Sequence, residues 1–299
     1  MNIGKKIKNI RTEKLMTQSE LAGDEITRNM LSQIENGSAQ PSLSTIKYLA
    51  WKLGVPAGYL LSEGDEEFVY NKTRVMKNIK KAYADKSYGM CREMCLSSFE
   101  ELDDELELIL TDCCIGEAEE LIRDGKLRYA CELLDEAWSH SQNTIYSTVT
   151  QRNRAYIMFH LMKSLSPALD SDVYDTDIGG DILQPSLYGD VFCRYIALIF
   201  GSRKYRDDVM QNVTEEPTEY DRLFVAHLKA REYMADKEYK KASMVLRSIM
   251  DGDTVPQRLL LYICCEDMEK CCKEMEDYKG AYEFSNNKME ILEHMLVDM

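Results

Sequence analysis

Six prolines, Pro41, Pro56, Pro167, Pro185, Pro217 and Pro256, are all that interrupt 299 residues, and each falls in a gap between segments of helical apolar periodicity. An interior proline costs a helix about 3 kcal/mol, because it lacks an amide donor and its ring collides with the preceding turn. Strand-type alternation of apolar and polar residues is scarce. The chain is therefore expected to be all-α, built of long helices and short breaks. A hydrophobic content of 44% and a charged content of 30% are globular rather than disordered. The length allows about two domains, each able to bury its own core.

The net charge of −15 is unevenly divided. Residues 1–65 carry eight Lys and Arg against seven Asp and Glu, whereas the other 29 cations face 45 acids. Five of the eight lie between Lys5 and Lys14, where one helix could hold them against phosphates. The acidic remainder would repel nucleic acid, so it is expected to serve a different partner. The boundary is drawn at residues 65 and 66.

The ten cysteines fit no four-ligand zinc pattern: Cys113-Cys114, Cys264-Cys265 and Cys271-Cys272 are adjacent pairs, and Cys91 and Cys95 are four apart. The start lacks a secretory apolar segment, and runs such as Tyr195–Phe200 and Leu259–Cys265 are far too short to span a bilayer. A cytoplasmic chain with reduced thiols is expected, its cysteines acting as small buried hydrophobes. No metal, cofactor or membrane partner is expected. His140, His160, His227 and His294 are scattered, and phosphate-binding loops and nucleophile elbows are absent, so the chain does not read as an enzyme.

Ile3, Ile7, Ile10 and Leu15, with Lys and Arg between them, describe an amphipathic first helix over about 3–14. Thr17-Gln18-Ser19-Glu20 is a capping box that opens a short second helix through Ala22. Gly23-Asp24-Glu25 turns the chain, Thr27 can cap a third helix over 28–36, and Gly37 supplies a left-handed stop. Pro41-Ser42 starts a fourth helix that ends at Gly54, and residues 56–61 form a short fifth.

The ordered run Thr17-Gln18-Ser19-Glu20-Leu21-Ala22, Leu31-Ser32-Gln33-Ile34-Glu35-Asn36-Gly37, Pro41-Ser42 and Leu53-Gly54-Val55-Pro56 resembles the Cro/repressor (xenobiotic-response-element) helix-turn-helix family. The turn between helices two and three is about one residue shorter than in phage repressors. The resemblance implies a lambda-repressor-like five-helix domain whose third helix lies in the major groove of double-stranded DNA. Arg28, Asn29, Ser32 and Gln33 would then face base edges while Met30, Leu31 and Ile34 point to the core. Arg28 could pair with guanine, and Asn29 or Gln33 with adenine. Gln18, Asn36, Ser38 and Lys5 would contact phosphates, fixing register rather than reading sequence. Arg11 and Glu35 resemble the family's internal ion pair between helices one and three.

Beyond residue 65, an aromatic or Leu followed three residues later by a small residue recurs at Tyr88/Cys91, Leu127/Ala130, Tyr239/Ala242 and Tyr278/Ala281, with weaker matches at Leu165/Ala168 and Tyr205/Asp208. Steps of about 34–40 residues, each with a turn-like stretch before the pair, predict an α-solenoid of helical hairpins over residues 66–299. An irregular helical bundle is the alternative. The hairpins resemble degenerate tetratricopeptide repeats. Behind a helix-turn-helix they resemble the RRNPP (Rgg/PlcR/PrgX-like) peptide-sensing regulators, which implies a homodimer binding a short peptide in a concave groove. Candidate peptide contacts are Asn153, Arg152, Tyr156, Arg194, His227 and Arg231, Asn153 foremost because its amide both donates and accepts. The repeats could equally bind a protein partner, or only dimerise. Asp175-Thr176-Asp177-Ile178-Gly179-Gly180-Asp181, within residues 164–187, resembles part of a calcium loop, but Ser186 stands where a bidentate Glu belongs. It reads as a loop.

Overall fold

The computed structural model describes residues 2–63, 65–169, 171, 173, 174, 182–201 and 218–297. Among them there are helices and no β-strand. The chain divides into two compact units, residues 1–81 and 82–299.

The first unit contains α1 (Ile3–Glu13), α2 (Gln18–Ala22), α3 (Arg28–Glu35), α4 (Leu43–Leu53), α5 (Ala57–Leu61) and most of α6 (Asp65–Ala84). Local chemistry sets these ends. Asn2, Thr17, Thr27 and Ser42 each accept a hydrogen bond from an amide in the first turn of the helix they precede, and Thr17 with Glu20 completes a reciprocal capping box. Gly37 and Gly54 take the left-handed conformation beyond α3 and α4. Ile7, Ile10, Leu21, Leu31, Ile34, Leu49 and Leu53 form the core. A Cβ on Gly4 would collide with the carbonyl oxygen of Ile34, so glycine lets α1 lie directly on the end of α3. Leu15, expected on the apolar stripe of the first helix, is instead 91% exposed. Its φ of 54° places it past the end of α1, where the helical face no longer continues.

The second unit is built from hairpins. α8 (Asp104–Asp124) pairs with α9 (Leu127–Gln142), α12 (Glu219–Ala235) with α13 (Tyr239–Met250), and α14 (Arg258–Glu274) with α15 (Tyr278–Val297), while a similar turn leads from α6 into α7 (Tyr88–Ser98), which packs on α8. The four turns share one geometry. Lys86, Gly125, Lys237 and Glu276 have φ between 55° and 83°, and each stands two residues before the aromatic or Leu of the repeat. At each turn two amides bond back to the helix just ended, as Lys237 N to Met234 O and Glu238 N to Tyr233 O do. This is a Schellman motif repeated four times. The small residues Cys91, Ala130, Ala242 and Ala281 are all buried, allowing the paired helices to approach closely.

Between these hairpins lie α10 (Val149–Leu165), a 3-10 turn (Pro185–Leu187) and α11 (Val191–Phe200). The weak repeat expected at Leu165/Ala168 is not a hairpin start, because α10 runs on through Leu165 and Ala168 is exposed in the turn that follows. Tyr205/Asp208 and the segment 175–181 lie outside the described residues. α8 packs against both α10 and α14, which draws the inner helices around one continuous core running from Cys114 to Met295. All ten cysteines are buried free thiols within this unit.

Candidate DNA interface and ligand cavity

In the first unit, polar residues define both the scaffold and the surface it presents. Arg11 donates from Nε to Glu35 Oε1 at 2.6 Å and from Nη2 to Oε2 at 3.0 Å, while its Nη1 bonds the Met16 carbonyl at 2.8 Å. The Gln18 amide donates to Glu35 Oε2 at 2.8 Å. Three helices are thus tied at one carboxylate. Burial pushes the Glu35 carboxyl up, but the hydrogen bonds from Arg11 and Gln18 and the guanidinium charge outweigh it, so it stays below the ordinary carboxylate range. From the other side, Tyr48 Oη donates to Ala22 O and Lys52 Nζ to Glu20 O, each at 3.0 Å, anchoring the end of α2 to α4.

On this frame α3 exposes Arg28, Asn29 and Gln33, with Ser32 half-buried beside them. Leu31 and Ile34 are buried, but Met30, expected to point to the core, is 36% exposed. It sits on the first turn of α3. Asn36 ends the helix exposed, and exposed Ser38 bonds the Gln33 carbonyl through both its amide and its hydroxyl. Gln18 is half-buried and engaged with Glu35.

The cationic stretch on α1 splits in two. Lys5, Lys8 and Lys14 are exposed, whereas Lys6 is fully buried. Its ammonium donates to Ser62 O at 2.6 Å, Ser62 Oγ at 3.1 Å and Tyr59 O at 3.2 Å, and it lies 5.2 Å from the Tyr59 ring centroid. It caps the carbonyl end of α5, where the helix dipole favours a cation. Lys6 therefore does not belong with the phosphate-facing cations, because charge spacing cannot tell a buried cap from a surface lysine.

The peptide-contact candidates do not converge on one surface. Asn153 is half-buried on α10. On the same helix the Arg152 guanidinium lies 5.8 Å from the Trp138 ring centroid, and Tyr156 stands edge-on to Trp138 and Tyr174. Arg194 is buried and donates to the Tyr188 carbonyl at 2.6 Å. His227 is completely buried, its Nδ1 3.0 Å from Tyr195 Oη and its Nε2 3.1 Å from Asp267 Oδ2. Arg231 closes the cluster, 2.6 Å from the same carboxylate oxygen. Burial lowers the His227 pKa despite the pull of Asp267. Arg194 and His227 thus do not line a groove; they satisfy buried polar groups where the inner helices meet.

Arg231 also lines a cavity of about 220 Å³ with Leu165, Phe200 and Tyr262. A larger cavity, about 460 Å³, opens at the first turns of α10, α11, α12 and α14. Its charged lining includes Glu119, Arg123, Arg154, Asp190 and Asp221. Arg123 bonds Glu119 at 2.7 Å and Asp221 at 3.0 Å, and Arg154 reaches Glu119 at 3.1 Å and Asp190 at 3.5 Å. Arg123–Glu119 is one turn apart on α8, whereas the other three pairs join separate elements, so only packing brings those together. Among the described residues, no helix is long and apolar enough to cross a membrane.

Comparison with known proteins agrees with this geometry in the first unit. Residues 4–66 match the family model described as a helix-turn-helix domain. An immunity repressor protein of Bacillus phage phi105 is 36% identical over 76 residues, 24% of this chain and 53% of the repressor. The chain thus spans about half the length of that curated relative. Over whole chains, Bacillus thuringiensis PlcR in complex with the peptide PapR7 and DNA aligns at 17% identity and a TM-score of 0.24, covering 100% of this chain and 99% of PlcR. The apo form of ComR from S. thermophilus aligns at 14% identity and a TM-score of 0.32, covering 98% and 96%. At such scores the superpositions carry no argument about this chain. Residues 4–66 match a helix-turn-helix domain, and 76 residues of the chain are similar to a phage immunity repressor.

Proposed function

We propose that this protein is a cytoplasmic, sequence-specific transcriptional regulator and not an enzyme. Residues 1–65 recognise DNA, and residues 66–299 form a homodimer and take a short peptide. The observation that carries the DNA reading is the α3 surface: Arg28, Asn29 and Gln33 stand exposed on a helix whose opposite side is pinned by Arg11, Gln18 and Glu35. A rigid polar helix of this kind suits insertion into a major groove. One small domain makes few contacts, so two copies related by two-fold symmetry would supply specific affinity.

The peptide reading rests on the cavity at the first turns of α10, α11, α12 and α14. Its volume of about 460 Å³ falls within the range of small-ligand sites, and its Arg and acidic groups match a peptide's mixed donors, acceptors and terminal charge. The burial of Arg194 and His227 favours a second reading, in which the unit binds a protein partner on its outside or only dimerises.

Selection from a random duplex pool tests the first claim. Enrichment of a palindrome with half-sites about 34 Å apart, or a multiple of that, is expected. Failure to enrich any sequence at low salt would overturn it. Titrating a random short-peptide library into the selected complex tests the second claim. A saturable change in DNA affinity supports peptide sensing, and its absence leaves the second reading standing alone.

A further inference from the structure

We propose that the α8–α9 hairpin holds a divalent transition-metal site of the zinc type, with Cys114, Glu136 and His140 as its protein ligands. One donor atom from each of the three lies within 4.8 Å of the other two. Glu136 and His140 are four residues apart and so share one face of α9, with His140 Nε2 3.8 Å from Glu136 Oε1. Cys114 comes from α8, which lies antiparallel across the turn at Gly125, and is fully buried. Zinc takes sulfur, nitrogen and oxygen ligands at about 2.0–2.3 Å, so tetrahedral donors stand roughly 3.3–3.8 Å apart. The trio is within about an ångström of closing on an ion.

The surrounding residues supply what such a site requires. Glu107 Oε2 lies 2.6 Å from His140 Nδ1, the carboxylate–histidine arrangement that fixes a ring and turns its other nitrogen to a metal. Arg92 donates to both Glu136 oxygens, from Nη2 to Oε2 at 2.8 Å and from Nε to Oε1 at 3.4 Å, which orients that carboxylate with Oε1 3.8 Å from His140 Nε2, so an incoming ion would take Oε1 from the weaker of the two bonds. Arg92 also lies 3.7 Å from Glu117, whose Oε2 is buried without a hydrogen-bond partner, so negative charge here exceeds what the guanidinium satisfies. A cavity of about 350 Å³ lined by Arg92, Glu117 and Glu136 reaches the site at Glu136, one of its three ligands. Three protein ligands leave a fourth position for water or an incoming group. Imidazole and thiolate together select zinc, or cobalt as its substitute, over magnesium and calcium. The sequence concealed this set because its cysteine and its Glu–His pair lie on different helices.

The test is a cobalt(II) titration of the full-length, reduced and chelator-stripped protein. Thiolate-to-cobalt charge-transfer absorption should saturate at one equivalent and be displaced by zinc, and zinc should raise the thermal midpoint. Cys114→Ser should abolish the band, and His140→Ala should weaken binding about a hundredfold. Glu107→Gln, which keeps the ring's neighbour but removes its charge, should weaken it about 10–100-fold. Cys113→Ser, next door on α8, should leave it unchanged, and circular dichroism confirms that each variant is folded. No saturable band, a band that survives Cys114→Ser, or one lost in Cys113→Ser overturns the assignment.

Discussion

Arg11 and Glu35 meet in a two-pronged ion pair, 2.6 Å and 3.0 Å, although 24 residues separate them. The pair joins α1 to α3 and, through Gln18, to α2. Removing one partner strands the other in a poorly solvated place, which typically costs about 3–5 kcal/mol. Arg11→Ala and Glu35→Ala should each unfold the first unit at markedly lower denaturant, and the double variant should lose less than the sum. A double-mutant cycle on chemical denaturation measures this; additive losses would show the two do not act together. Because the folded carboxyl of Glu35 lies below its ordinary 4.5, its contribution is present above that pH and lost as pH falls through the folded value.

Three cations of the first unit should behave differently if the proposed DNA reading holds. Arg28→Ala should relax preference at one base position, at about 1–3 kcal/mol. Lys5→Ala should weaken all sequences alike and reduce the salt slope by about one. Lys6→Met should leave the salt slope intact and lower stability instead, since its ammonium caps Ser62 and Tyr59 inside the domain. Binding isotherms at several salt concentrations, with a melt of each variant, separate the three; a reduced slope for Lys6→Met would return it to the phosphate-facing set.

Lys86, Lys237 and Glu276 occupy left-handed turns where the equivalent residue of the α8–α9 hairpin is Gly125. A side chain there costs about 1–2 kcal/mol, partly offset by the entropy that glycine loses on folding. Lys86→Gly, Lys237→Gly and Glu276→Gly should each stabilise the second unit by about 0.5–1 kcal/mol. Calorimetry of the single variants checks this, and a uniform loss of stability would refute the strain argument.

His227 makes the second unit sensitive to mild acid. Its folded pKa lies below its ordinary 6.5, so the unfolded chain binds the proton first, and stability falls as pH drops below 6.5. Asp267, held well below the usual carboxylate range against burial by His227 and Arg231, adds a further loss in strong acid, below about 3.8. His227→Gln should flatten the dependence between about pH 7 and 5 while leaving the strongly acidic limb. Denaturation midpoints across that range decide it; an unchanged slope would mean another group titrates there.

Local chemistry was legible in the residues. The caps Thr17, Thr27 and Ser42, the stop at Gly54 and the repeating Tyr–small pairs each act within a few neighbours, so α1 to α5 and four hairpin turns could be read directly. The exposed face of α3 followed from helical spacing, apart from Met30. Burial of charge did not follow, because it depends on which helix arrives from elsewhere. Lys6 reads as one more surface cation until α5 brings Ser62 to it, 56 residues away. His227 reads as a groove residue until α11 and α14 supply Tyr195 and Asp267. Sequence periodicity together with local caps and stops determined where most helices run and most of their apolar faces, Leu15 and Met30 excepted. Tertiary packing decided which polar groups become internal partners and which remain available to ligands, since water must be replaced by donors and acceptors from distant segments.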